Sequence, residues 1–159
     1  MSTLTQSAYL LGRRNALSSL PSAAANRDPN SKYRLVYDAR SRTRLPGGMV
    51  RREGQPATRD AATDEAFDGA GLVYDFFRSV YRRNSLDGKG MMLASTVHYG
   101  KSYDNAFWTG GQMVYGDGDG KYFHRFTRSL DIIAHELAHG FTQNTSDLEY
   151  ADQPGALNE

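Results

Sequence analysis

Two histidines stand four residues apart in "DIIAHELAHGFTQ", His135 and His139, and Glu136 follows the first of them. On a helix these imidazoles would leave the same face one turn apart and could close on a single tetrahedral ion. Glu136 would then reach a water activated by that ion without being a ligand itself, which is where a general base is needed. Twenty positions beyond His139 comes "GALNE", whose Glu159 offers a third, carboxylate ligand. Two imidazoles, one carboxylate and one position left for water make a hydrolytic zinc site. Taken singly, the histidine pair reads as a solvated helix face and Glu136 as a surface charge; the combination is what carries chemistry.

Composition narrows the alternatives. At 159 residues, 39% hydrophobic and 11% aromatic, the chain can build one globular domain with a real core. Nineteen basic against eighteen acidic residues leave a formal charge of +1, so no global field argues for nucleic-acid or membrane partners. The absence of cysteine removes disulfide frameworks, thiolate catalysis and cysteine-based zinc fingers together, so zinc has to be held by His and carboxylate. The longest early apolar run, Ala8 to Leu11, is far short of the ~7–15 residues of a signal-peptide core. Nothing later approaches the ~18–20 apolar residues of a membrane span. The expectation is a cytoplasmic protein or one exported by a route without a signal peptide. Residues 1–27 lack acids and carry Arg13, Arg14 and Arg27, a composition shared by transit peptides and, more commonly, by plain polar leaders.

The elements that must position the site can be read next. Ser129 or Thr127 can cap a helix from about Leu130 to Gln143, with Asp131 at its positive end and Leu130, Ile133, Leu137 and Phe141 as a core-facing stripe. A more strongly amphipathic helix starts with Thr63 as its cap and Asp64 and Glu65 in the first turn. Phe67, Ala70, Tyr74, Phe77 and Tyr81 recur along it at helical spacing, and Arg82, Arg83, Asn84 and Gly88 mark its exit. "KYRLVYD" alternates as a strand with Tyr33, Leu35 and Tyr37 on one face, and "RLPGGMVRRE" returns beside it. "MMLASTVHYG" and "GQMVYG" are further strands, the last running into the tight reversal "DGDG" at Asp117 to Gly120. A Pro- and Asn-containing linker, "PSAAANRDPNSK", separates a leader, residues 1–31, from residues 32–159. Strands, helix, strands, helix is the order of an α+β fold with a mainly antiparallel sheet.

The chain also resembles the thermolysin-like zinc metallopeptidases, and specifically their amino-terminal lobe. "RLVYDA", "LPGGMVRREGQPAT", "RNSLDGKGM", "VHYGKSYDNAFWTGGQMVYGDGDG" and "LDIIAHELAHGFTQ" follow the family's order from about Lys32 to Glu159. The short leader is similar to that of the protealysin-type branch, whose members carry brief propeptides. The resemblance implies that His135, His139 and Glu159 bind Zn2+ and that Glu136 activates its water. It implies that Tyr150 donates to the oxyanion and that Asn105 and the Ala106 carbonyl hold the substrate backbone as an added strand. Phe123, Phe126 and Ile132 would wall the pocket for the residue after the scissile bond, with core packing as the plainer reading of the last two. Asp131 matches a calcium ligand whose partners lie in the family's helical second lobe, so calcium is expected only in a full-length protein.

These readings predict a zinc endopeptidase acting on peptide or protein substrates through metal-activated water. The stretch covered is the amino-terminal lobe without its helical partner, so the 159-residue chain is expected to be an incomplete, inactive fragment. The alternative is a non-catalytic remnant that binds metal or peptide without hydrolysis. Self-cleavage of the leader is expected between about Asp38 and Gly48.

Overall fold

The computed structural model describes residues 27–146; Tyr150, Glu159 and most of the leader lie outside the described residues. Five strands form one sheet: β1 (Arg34–Asp38), β2 (Gly48–Arg52), β3 (Leu93–Val97), β4 (Ala106–Trp108) and β5 (Met113–Tyr115), in the order β2-β1-β3-β5-β4. Helix α1 (Ala61–Tyr81) links β2 to β3, and a short 3-10 turn (Phe126–Arg128) leads into α2 (Leu130–Ser146). The class is α+β, as expected, but the sheet is evenly mixed rather than mainly antiparallel. β1–β2 and β4–β5 pair antiparallel through short connections, whereas β1–β3 and β3–β5 are parallel. The reason lies in connectivity. The chain leaves β2, runs through a 21-residue helix and returns on the other side of β1, running opposite to β2 and therefore parallel to β1.

Both helices cover one face of the sheet. Val36, Leu93, Val97, Ala106, Trp108, Met113 and Tyr115 meet Ala66, Phe67, Ala70 and Tyr74 of α1 and Ile133 and Leu137 of α2 in the main core. The alternate strand positions, Leu35, Tyr37, Ala94, Phe107 and Val114, pack on the opposite face with Tyr33, Tyr99 and Tyr103. β3, predicted as a strand, is buried along its whole length.

Helix α1 begins three residues before the predicted start. Its cap is Asp60, not Thr63: the Asp60 carboxylate accepts the Thr63 N–H at 2.7 Å, and Thr63 itself is buried. At the other end Arg82 is left-handed and the Arg83 N–H closes on the Phe77 carbonyl. Phe67, Ala70 and Tyr74 are buried as the spacing predicts, while Tyr81 in the last turn is 63% exposed. The loop expected to be cleaved joins two strands that hydrogen-bond to each other. A cut between Asp38 and Gly48 would leave β1, which pairs with β2 and β3, on the leader side.

Candidate metal centre and cleft

Helix α2 starts where the Ser129 carbonyl accepts the Ile133 N–H, so Ser129 is at the cap position. The Ser129 hydroxyl also donates to Asp131, and that bond holds the Asp131 carboxyl below its usual range. Ile133 and Leu137 are fully buried and Phe141 stacks on Phe77 of α1, as the stripe predicts. Leu130, in the first turn, is the exception at 47% exposed.

Two glycines set how closely α2 approaches its neighbours. A Cβ on Gly140 would lie 3.0 Å from the Trp108 ring of β4, and one on Gly69 of α1 would lie 2.5 Å from Ile133. The Trp108 indole N–H donates to Gln143 at 3.0 Å and fixes the rotation of the helix over the edge of the sheet.

With α2 so placed, the Nε2 atoms of His135 and His139 face each other at 3.1 Å, the rings nearly perpendicular. A tetrahedral ion with bonds of ~2.0–2.1 Å needs its ligand nitrogens about 3.3 Å apart, so the pair fits zinc with a movement of a few tenths of an ångström. One Glu136 carboxylate oxygen joins them, all three atoms lying within 4.8 Å of one another. His139 is buried at 6% exposure, whereas His135 is open to the cleft. Beneath them the phenol of Tyr115 is fully buried; burial pushes its pKa up, and the Glu136 charge pushes it further. Two imidazole nitrogens one helical turn apart, in a chain without thiols, suit zinc.

Of the residues predicted to bind substrate, Asn105, Ala106, Phe126 and Ile132 line one cavity of about 410 Å3 with His135 and Glu136. Phe123 lines a neighbouring cavity of about 370 Å3 that shares Phe126 and Ile132 as its wall. The Phe123 and Phe126 rings stack at 5.9 Å. Phe123 is half exposed, so it belongs to a cleft wall rather than to the core. The register gives Ala106 its orientation. Gly116 N donates to the Asn105 carbonyl and Thr109 N to the Gln112 carbonyl, so by alternation Ala106 turns its own N–H and C=O away from β5. Among the described residues β4 ends the sheet, and those groups therefore face its edge.

Sequence reading missed two ionic clusters beside the cleft. His98, left-handed at φ 54° just after β3, places Nδ1 2.8 Å from Asp117 and Nε2 3.3 Å from Asp60. The Asp117 hydrogen bond, opposed by partial burial and aided by the charges of both carboxylates, raises its pKa to about 9. Against the cost of burial, the Thr63 N–H and His98 hold Asp60 below its usual range. The second cluster joins Glu65 to Arg125 through two bonds of 2.6 and 2.7 Å and to the Thr127 hydroxyl at 2.8 Å. Arg125 is the main reason that Glu65 titrates low. Neither cluster has a local spacing signal, since each joins residues far apart in the chain.

Residues 22–143 match the thermolysin metallopeptidase family over its catalytic domain. An extracellular metalloprotease of Pectobacterium carotovorum subsp. carotovorum is 54% identical over 140 residues, covering 88% of this chain and 38% of that protein. Protease PrtS of Photorhabdus sp. (strain Az29) is 55% identical over 127 residues, 80% of this chain and 34% of its own. Among solved structures, the precursor of protealysin, a metalloproteinase from Serratia proteamaculans, superposes with a TM-score of 0.79 at 46% identity. That match covers 94% of this chain and 49% of the precursor. The chain belongs to the thermolysin metallopeptidase family, and its α+β fold is that of the family's amino-terminal lobe. It spans 38% and 34% of the length of the two curated relatives described.

Proposed function

We propose that this lobe supplies the metal centre and half of the substrate cleft of a zinc endopeptidase. The observation that carries the reading is the convergence of His135 Nε2 and His139 Nε2 at 3.1 Å, with Glu136 alongside, in a cavity bordered by Ala106 of β4. His135, His139 and Glu159 would hold the zinc, which when bound supplies Lewis acidity at the scissile carbonyl. Peptide substrate adds to β4 as a further strand, pairing with Ala106 and held by Asn105, while the side chain after the scissile bond enters between Phe126 and Ile132 under Phe123. Glu136 takes the proton from the attacking water and delivers it to the departing amine. The Tyr150 phenol donates to the oxygen on which negative charge develops. Relatives named as proteases support peptide or protein as the substrate, and their greater length supports assigning turnover to a longer protein rather than to these 159 residues alone. The match to a precursor supports residues 1–31 as a leader.

The test is casein hydrolysis by a full-length protein containing this lobe. Chelator-sensitive cleavage that falls at least about a thousandfold in Glu136→Gln, with zinc retained, is the expected result. Zinc-loaded protein that binds peptide but never cleaves it would instead favour the remnant.

A further inference from the structure

The segment that walls the cleft, Asp117 to Arg128, contains no strand or α-helix to hold it, yet it carries both Phe123 and Phe126. Its inner order is local. Gly118 is at φ 77°, where a Cβ would strike the Phe123 carbonyl, and Asp119 accepts the N–H groups of Lys121, Tyr122 and Phe123 at 2.8–3.0 Å. Backbone bonds from the Gly118 N–H to the Tyr103 carbonyl and from the Phe126 N–H to the Gly116 carbonyl anchor it to the lobe, and two ionic links add to them. At its start Asp117 is joined through the His98 ring to Asp60, the cap of α1; at its end Arg125 and Thr127 are joined to Glu65, just over one turn further along the same helix.

We propose that His98 is a positioning residue for the substrate cleft: by joining Asp117 to Asp60 it sets the placement of the Phe123–Phe126 wall relative to His135 and Glu136, and so sets which side chain the pocket selects. The inference rests on the peptidase reading for the meaning of the wall, but not for its mechanics. Three observations support it. The ring is engaged at both nitrogens, so it is a bridge rather than a cap for either carboxylate alone. His98 adopts the left-handed backbone conformation, uncommon for non-glycine residues though less so for Asn, Asp and His, and it places the ring between the two acids. Arg125 feels the charges of both Asp60 and Asp117, so the two staples form one electrostatic unit with Glu65. His98 is therefore faced by Asp60 from α1 and by Asp117 from the segment, with Arg125 and Glu65 behind them; Ser41 of the β1–β2 loop bonds only its carbonyl. Charge on the imidazole is favoured up to about pH 9.

The experiment uses the full chain, zinc-loaded, with His98→Asn, which tolerates the left-handed backbone but is too short to span both carboxylates, and Asp117→Asn, which keeps the shape and removes the charge. Hydrogen exchange should be at least about fivefold faster at the Lys121–Phe123 amides in both variants, with β3 amides and zinc affinity unchanged within about twofold. In the native chain, after correction for intrinsic base catalysis, protection of those amides should fall in one step around pH 9, and it should be flat in His98→Asn. Binding of acetyl-Gly-Leu-Ala-amide relative to acetyl-Gly-Ala-Ala-amide should lose at least about threefold of its preference in the variants. Unchanged exchange at Lys121–Phe123, or an equal rise at β3, overturns the proposal. Native chain that binds neither peptide overturns the pocket reading instead, and the exchange results still decide the mechanics.

Discussion

Gly140 of α2 lies directly against Trp108 of β4, with room for a hydrogen but not for a methyl group. This contact places His139 under the sheet edge and points the site into the cleft. Gly140→Ala gains up to about 1 kcal/mol of helix propensity and loses about 1–3 kcal/mol to overpacking against Trp108 and Leu86. The expected outcome is a net loss of stability in urea unfolding, with zinc affinity reduced as well because His139 is the preceding residue. A stabilised variant would show that α2 can lift off β4 at no cost.

Phe67 is covered by two guanidinium groups, Arg34 at 3.8 Å and Arg51 at 3.9 Å from its ring centre. Arg34 is held by Glu53 and Arg51 by Asp64, so both cations keep a carboxylate while stacking on the ring. Phe67→Ala should therefore cost about 3–5 kcal/mol, and Phe67→Leu should still lose more than its volume change requires, because two cation–π contacts go with the ring. Urea unfolding of the pair of variants measures the difference.

His98 gives the fold an alkaline limit. Its pKa rises from an ordinary 6.5 in the unfolded chain to about 9 in the fold, so its contribution is complete below about pH 6.5 and is lost as pH rises through 9. Asp60 shifts in the opposite direction, so its share is present above its ordinary 3.8 and is lost as pH falls through its lower native value. With both carboxylates partly exposed, the His98 share is on the order of 1–3 kcal/mol after solvent screening. Melting temperature followed from pH 6 to 10 should decline for the native chain and much less for His98→Asn. Parallel curves would place the alkaline loss elsewhere.

Residues that act through spacing within one element were legible in the sequence. His135, Glu136 and His139 needed only a helix, and the helix announced itself through Ile133, Leu137 and Phe141. The α1 stripe from Phe67 to Tyr74 was readable for the same reason. Parallel pairing was not, because β1, β3 and β5 are buried on both faces and carry no local mark of their neighbours' direction. The cap was misplaced by three residues because Asp60 and Thr63 are both good caps, and the choice is made by His98 reaching Asp60 from a distant strand. β4, only three residues long, was too short for a periodic signal and came into view as a substrate edge through resemblance alone.

The central claim is that His135 and His139 are metal ligands while Glu136 is not. The direct measurement is zinc content per chain by elemental analysis after dialysis, for the native protein and for His135→Ala, His139→Ala and Glu136→Gln. The account predicts about one zinc in the native and Glu136→Gln proteins and essentially none in the histidine variants. Loss of zinc from Glu136→Gln as complete as from the histidine variants, or full retention in His139→Ala, would contradict it.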